Sequence, residues 1–487
     1  MQSRRDQVQA HLFVMSRLAS GMLRAEPDTP DTPTGRTTRG AVTGLALGIV
    51  IALVVTVYGV MKPGGSTTWQ KPGTLVMVEE TGARYLYLGG VLHPVLNQAS
   101  AKLLAGDQMA LQQVSEGSLS GVQRGAPVGL VGAPDALPTA AELKPGAWLA
   151  CGLQQPAANP ASGPAGASKP QLVLSVAPAQ QGTALTPGQG ALVSAPDGST
   201  YLLWQGRRLR VDKQNSALQA LGYPTATTFP VTAAMLGTLP TGPDLTSPDV
   251  PGRGTAGPAL AGRPTKVGQL FADPTGGHYV LTQAGLVPLT VLQYDLLLGD
   301  PRTQQQAYGG TPGTPAPIGP ADLAAHTAAG AGLPTGLPAE PPTLVNPGQN
   351  QALCADLHPS TDGNPVTSLA VLDAGTLGGQ APDSEPGVAP GCAAADRIAV
   401  RPGAGALVRA LSGSGAGTSQ YLVADNGVKY PLPSAAAAKQ LGYSAASTQA
   451  VPQALLALLP SGPSLDPSVL SGGQIVSPAA GGNGCSG

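Results

Sequence analysis

The sequence predicts a single N-terminal transmembrane helix followed by an α+β extracytoplasmic region of four strand-turn-strand-helix repeats. Three observations carry this: one uninterrupted apolar stretch near the N-terminus, internal segments that match at fixed offsets, and an excess of turn-forming residues. The 487 residues include 67 Gly and 50 Pro, about a quarter of the chain, roughly twice the average share. A fully disordered chain would combine high net charge with low hydrophobicity. Here the net charge is −1 and 42% of residues are apolar, so the Gly and Pro read as turns and linkers between compact units. Near-neutral charge, with no basic stripe past the N-terminus, excludes a nucleic-acid binder, because affinity for phosphate needs clustered Lys and Arg.

Residues 1–39 form the first element. In SRRDQVQAHLFVMSRLASGMLRAE (3–26), Val8, Leu12, Met15, Leu18 and Met22 follow a 4-3-3-4 spacing, which lines one face of a helix. Ser3 caps its start, and Pro27 and Pro30 stop it. A lone helix cannot bury such a stripe, so it lies on the membrane surface or docks on a cytoplasmic partner. Asp6 and Glu26 dilute its basic face and favour a protein partner.

Residues 40–61 (GAVTGLALGIVIALVVTVYGVM) carry no charge between Arg39 and Lys62. Twenty-two helical residues reach ~33 Å, enough for a ~30 Å hydrocarbon core. A cleaved signal peptide would have a shorter apolar run and a small-x-small cleavage site, whereas this stretch starts late and runs into Lys62-Pro63-Gly64-Gly65. It reads as a permanent single-pass anchor. Arg4, Arg5, Arg17, Arg24, Arg36 and Arg39 precede it, whereas Lys62 and Lys71 are the nearest cations after it. That asymmetry places residues 1–39 in the cytoplasm and the rest outside the plasma membrane, where all four cysteines meet an oxidising environment. Gly40, Gly44, Gly48 and Ala52 recur every four residues, a stripe of the kind that lets a second helix approach in lipid.

Past the span, residues 201–245 and 421–465 match at a constant offset of 220, with sixteen of 45 positions identical when aligned without gaps. Tyr201/Tyr421, Leu221/Leu441, Gly222/Gly442, Tyr223/Tyr443, Pro240/Pro460 and Gly242/Gly462 are among them, which marks an internal repeat. A weaker pair, 81–95 and 275–289, keeps Thr81/Thr275, Gly82/Gly276, Tyr85/Tyr279, Leu92/Leu286 and Pro94/Pro288 at an offset of 194. In each unit a strand ends in a Gly turn, a second strand begins at a Tyr, and an Ala/Leu-rich helix follows (97–105, 215–221, 290–298, 434–441). The expected organisation is repeat 1 at 62–113, a central segment at 114–151, a linker at 152–185, repeat 2 at 186–246 and repeat 3 at 264–300. A Pro/Gly-rich linker at 301–350, a second central segment at 351–400, repeat 4 at 401–470 and a tail at 471–487 follow.

RRDQVQAHLFVMSRLASGMLRAEPD before one span, then PGGSTTWQKPGTLVMVEETGARYLYLGGVLHPVLNQASAKLL, RGAPVGLVGAPDALP and WLAC, resembles the EccB family of type VII (ESX) secretion systems of actinobacteria. The resemblance is close over the N-terminal helix, the span and residues 62–151, and looser beyond. It implies four repeats around a central β core. It also implies a structural, membrane-anchored core subunit, assembled with an FtsK-like cytoplasmic ATPase (EccC), a multi-span subunit (EccD) and further copies of itself. The family's disulfide, carried over, joins Cys151, behind Trp148, to Cys354. Four cysteines allow three pairings; with that one taken, Cys392 and Cys485 are left to each other.

Members of the family are labelled ATPases, but the sequence contains no Gly-Lys-Ser/Thr for a phosphate loop. Its nearest look-alike, Gly166-Ala167-Ser168-Lys169-Pro170, has no helix behind it. There is no Gly-x-Ser-x-Gly elbow for a wall hydrolase. The five histidines (His11, His93, His278, His326, His358) are scattered, and the single metal-like spacing, Cys354 to His358, uses a cysteine wanted for the bridge. Asp135, Asp197, Asp273 and Asp425 sit at turns, where Asp bonds its own backbone. The expectation is no enzyme, no cofactor and no metal, with a cell-wall-binding protein as the rival reading.

Overall fold

The computed structural model describes residues 4–24, 33–61, 67–106, 108–155, 169–328, 333–360, 363–412 and 415–477. Ser3, Pro27, Pro30 and Cys485 lie outside them. The chain divides into two compact units, one of residues 1–71, 76–84 and 111–123, the other of residues 72–75, 85–110 and 124–487.

The first unit holds the helices Arg4–Arg24 and Pro33–Met61. Helical structure thus begins seven residues before the expected start of the span at Gly40, and the stretch apolar enough to cross a membrane runs from Thr37 to Gly59. Thr43 and Thr56 donate their hydroxyls to the carbonyls of Arg39 and Ala52 one turn back, which satisfies polar groups that lipid cannot.

The second unit is organised by a six-stranded sheet. Its order is Arg397–Val400, Lys169–Val176, Trp148–Gln155, Gln351–His358, Val366–Asp373, Thr183–Ala184. The first two strands pair in parallel and the others antiparallel. The sheet is buried on both faces, so its strands read as continuous apolar runs rather than clean alternations. Trp148, Ala150, Leu353, Ala355 and Leu357 face one core; the intervening Leu149, Cys151, Leu153, Ala352 and Cys354 face a smaller one.

Two expected linkers are corrected here. Residues 152–185 contain Lys169–Val176, a strand deep in this sheet. Pro170 is tolerated there because it is the second residue of the strand, near its end. Residues 301–350 contain the helices Pro301–Ala307 and Pro320–His326 and two short strands, Ala316–Pro317 and Thr343–Leu344. Each of those strands pairs in parallel with an earlier one. The tail is likewise ordered at Ile475–Val476, which pairs with Gly129–Leu130.

Around the sheet, one element order recurs. In repeat 2, Gln189–Ser194, Thr200–Trp204 and Arg207–Arg210 run antiparallel; a helix, Ala217–Ala220, follows, and Phe229–Pro230 returns parallel to the first strand. Residues 270–317 and 406–452 repeat this order. The strands Thr74–Val78, Arg84–Leu88, Val91–Pro94 and Ala110–Val114 and the helix Gln98–Ala105 follow the same sequence of elements.

Repeats 2 and 4 both bury apolar residues on the same face of the central sheet: Val193, Val231, Met235 and Leu236 from one, Val408, Val451, Leu455 and Leu456 from the other. Behind repeat 4, Ala99 and Leu103 of the first repeat's helix pack with Leu441 and Tyr443. Behind repeat 2, Leu292 and Leu296 of the third repeat's helix pack with Ala217 and Leu221. Tyr443 donates its hydroxyl to Pro138 O at 2.9 Å and Tyr223 donates to Pro342 O at 2.5 Å. Arg208 donates to Leu236 O, and Lys429 to Leu456 O, at the end of the corresponding helices. Those two cations are 221 residues apart rather than 220, because the hairpin turn of repeat 4 holds one extra residue.

Candidate assembly surfaces

The helix Arg4–Arg24 exposes Val8, Leu12, Met15, Leu18 and Met22 by more than half, Met22 at 86% of its maximal area. Helical geometry adds Val14, also exposed, beside Leu18, a residue the 4-3-3-4 reading left out. Phe13 lies on the opposite side, with the Arg17 guanidinium 5.6 Å from its ring centre.

On the helix Pro33–Met61, Gly40, Gly44 and Gly48 have no atom within 4 Å of where a Cβ would stand. The neighbouring apolar side chains, Val42 through Tyr58, are exposed by half or more. The chain itself therefore supplies no partner for this face among its described residues.

A disulfide joins Cys151 and Cys354, directly opposite one another on adjacent central strands, with both residues wholly buried. It closes a span of 203 residues, so it ties the strand before repeat 2 to the strand after repeat 3. Cys392 is also disulfide-bonded; the partner expected for it, Cys485, lies outside the described residues.

The scattered polar residues take structural places. His358 Nε2 lies 3.0 Å from Asp356 Oδ2, while Cys354 is held in the disulfide, so their spacing gathers no ligand set. Burial pushes the Asp356 carboxyl up, partly offset by His358. His93 Nδ1 is 2.9 Å from Ala126 O, and His278 stacks on Tyr294 with ring centres 4.0 Å apart. His326 falls in the last turn of Pro320–His326. Asp197, Asp273 and Asp425 accept backbone N–H groups of Ser199, Thr275 and Gly403. Among the described residues no group of three or more His, Cys, Asp or Glu could hold a metal ion.

Besides Asp356, two buried charges escaped the sequence reading. Asp300 is fully buried, yet it accepts from Arg253 Nη1 at 3.0 Å and Arg302 Nη2 at 2.8 Å. Burial pushes its carboxyl up, and the two guanidinium groups outweigh that and hold it at about 2. Asp300-Pro301 is the signature of a helix start and could have flagged it. Lys429 has no carboxylate partner among the described residues and donates to the carbonyls of Leu456 and Leu459; burial pushes its ammonium down to about 8. A Lys between two apolar runs gives no such signal.

The family model described as "Type VII secretion system ESX-1, transport TM domain B" matches residues 1–470. The ESX-3 secretion system ATPase EccB3 of Mycolicibacterium smegmatis is 29% identical over 487 residues, covering 95% of this chain and 89% of that protein. The ESX-2 secretion system ATPase EccB2 of Mycobacterium tuberculosis is 28% identical over 491 residues, covering 95% and 93%. Among solved structures, the EccB3 dimer from the ESX-3 core complex aligns with TM-score 0.63 and 25% identity over 81% of this chain and 99% of that one. A chain of the intact ESX-5 inner membrane complex shares the fold, with TM-score 0.62 and 21% identity over 99% and 97%. The chain belongs to the type VII secretion system ESX-1 transport TM domain B family, the EccB family.

Proposed function

We propose that this protein is a structural core subunit of a type VII secretion complex, anchored by one helix and scaffolding the channel on the extracytoplasmic side. The observation that carries the reading is the combination of a fully exposed apolar helix at Thr37–Gly59 with a large folded body, in a family whose solved relatives come from ESX membrane complexes. The excess of Arg before the span supports a cytoplasmic N-terminus and an extracytoplasmic body in the plasma membrane. The exposed stripe from Val8 to Met22 docks on cytoplasmic partners, and the Gly40-Gly44-Gly48-Ala52 face packs against another membrane helix. Other ESX membrane subunits, an FtsK-like ATPase and a multi-span subunit among them, and further copies of this chain are the partners.

The body is read as four repeats in two equivalent pairs about the central sheet, repeats 2 and 4 against it and repeats 1 and 3 behind them. The matched Tyr223 and Tyr443 bonds and the matched Arg208 and Lys429 bonds support that pairing. Although relatives carry ATPase in their names, the absence of a Gly-Lys-Ser/Thr loop from the sequence supports energy supplied by a separate ATPase. The test is co-purification from detergent-solubilised membranes. The wild type is expected to bring down the FtsK-like ATPase and the multi-span subunit, and Leu12→Ser/Leu18→Ser to lose the ATPase. Wild-type protein migrating alone, yet retained by peptidoglycan, supports the wall-binding rival instead.

A further inference from the structure

A cleft of about 570 Å³ opens beside the outer strand of the central sheet, within the ~300–1,000 Å³ range of ligand sites. Its apolar lining includes Leu149 and Leu377 on one face of the sheet edge and Ile398 on the other, and its acidic lining is Asp383, Glu385 and Asp425. Its cation, Arg401, is already engaged, with Nη2 2.6 Å from Glu142 Oε2. Asp425 caps the Gly403 N–H, while Asp383 and Glu385 lie in an exposed stretch and have no ion pair among the described residues. The cleft therefore combines apolar side chains at the strand edge with carboxylates that carry no ion pair among the described residues.

Its inner wall is a strand edge. Ile398 exchanges two backbone hydrogen bonds with Gln380, at 3.0 and 2.8 Å, on the side away from Lys169–Val176. Backbone groups alternate in direction along a strand, so Val400, which lines the cleft, presents its N–H and C=O to the same side. An added extended chain would find a main-chain partner at Val400, apolar side chains beside the edge and carboxylates for its cations, as in strand addition to a sheet edge.

We propose that this cleft binds an extended peptide segment of another protein that alternates apolar residues with Lys or Arg, adding to the sheet edge at Val400 and setting its cations beside Asp383 and Glu385. The test is fluorescence anisotropy on the full-length chain in detergent, with a labelled octapeptide alternating lysine and valine. Its glutamate–valine counterpart and a lysine–valine version N-methylated at alternate amides serve as controls. Expected are saturable binding of the lysine peptide alone and at least a tenfold loss in Asp383→Asn/Glu385→Gln, whose sites are too exposed to endanger folding. A loss of similar size on N-methylation is also expected. No binding, equal binding to the variant, or equal binding of the N-methylated peptide overturns the proposal; the last shows charge attraction without strand addition.

Discussion

Replacing both Cys151 and Cys354 by Ala tests how the body is held together. The bridge spans 203 residues, and the chain-entropy relation gives about 5 kcal/mol for a loop of that length. Alanine suits the site, because the surrounding Leu149, Leu153, Val173 and Leu372 are apolar and a serine hydroxyl there would lack a partner. Unfolding entropy of ~2.1 cal/mol/K per residue over about 400 residues converts that loss to a fall of roughly 6 °C in Tm. Thermal unfolding of purified full-length protein, followed by near-ultraviolet circular dichroism, reads it. Because both residues are wholly buried, brief treatment of the native wild type with dithiothreitol is expected to leave this bridge unreduced. A variant within 1 °C of the wild type, or rapid reduction of the native bridge, refutes the reasoning.

Three further substitutions probe separate parts of the body. Asp300→Asn leaves two guanidinium groups unbalanced, at a cost of about 3–5 kcal/mol at pH 7. The wild-type carboxyl is held at about 2, below its unfolded ~3.9. Its contribution is thus present above pH 4 and lost toward pH 2, where denaturant titrations should show the gap closing; an equal gap at both pH values contradicts this. Lys429 falls to about 8 in the fold from 10.5, so between those values the unfolded chain binds a proton that the native chain does not. Wild type should gain about 3 kcal/mol over Lys429→Met across that window, and a constant gap rejects it. Arg210 stands opposite Tyr201, where Pro94, Pro288 and Pro431 stand opposite Tyr85, Tyr279 and Tyr421. Arg210→Pro should therefore raise stability by about 0.5–1 kcal/mol by restricting the unfolded chain, and a loss above 1 kcal/mol shows that the site differs.

The sequence showed the local features and hid the long-range ones. Hairpins announced themselves through Gly turns and the recurring Tyr, and the helices that follow them through Ala/Leu-rich runs; the capping box of Thr290 and Gln293 is a further signal the sequence held. Residues 189–236 and 406–456 pack against the central sheet, whereas the helices Gln98–Ala105 and Val291–Gly299 pack behind them. The central sheet was the blind spot. Lys169–Val176 begins at the end of a Pro/Gly/Ala-rich run, and strands buried on both faces carry no alternation to betray them. The returning strands at Phe229–Pro230, Ala316–Pro317 and Thr343–Leu344 are two residues long, too short for any period. Their pairing is decided by tertiary contact. On the helix Arg4–Arg24 the apolar spacing was legible because only local geometry sets it.

The scaffold reading is tested most directly by native gel electrophoresis of solubilised membranes from cells lacking this chain. The FtsK-like ATPase and the multi-span subunit should then no longer migrate together as one large species. Restoring the full chain should recover that species, and restoring a chain without residues 4–24 should not. A complex of undiminished size in the absence of the chain contradicts the account.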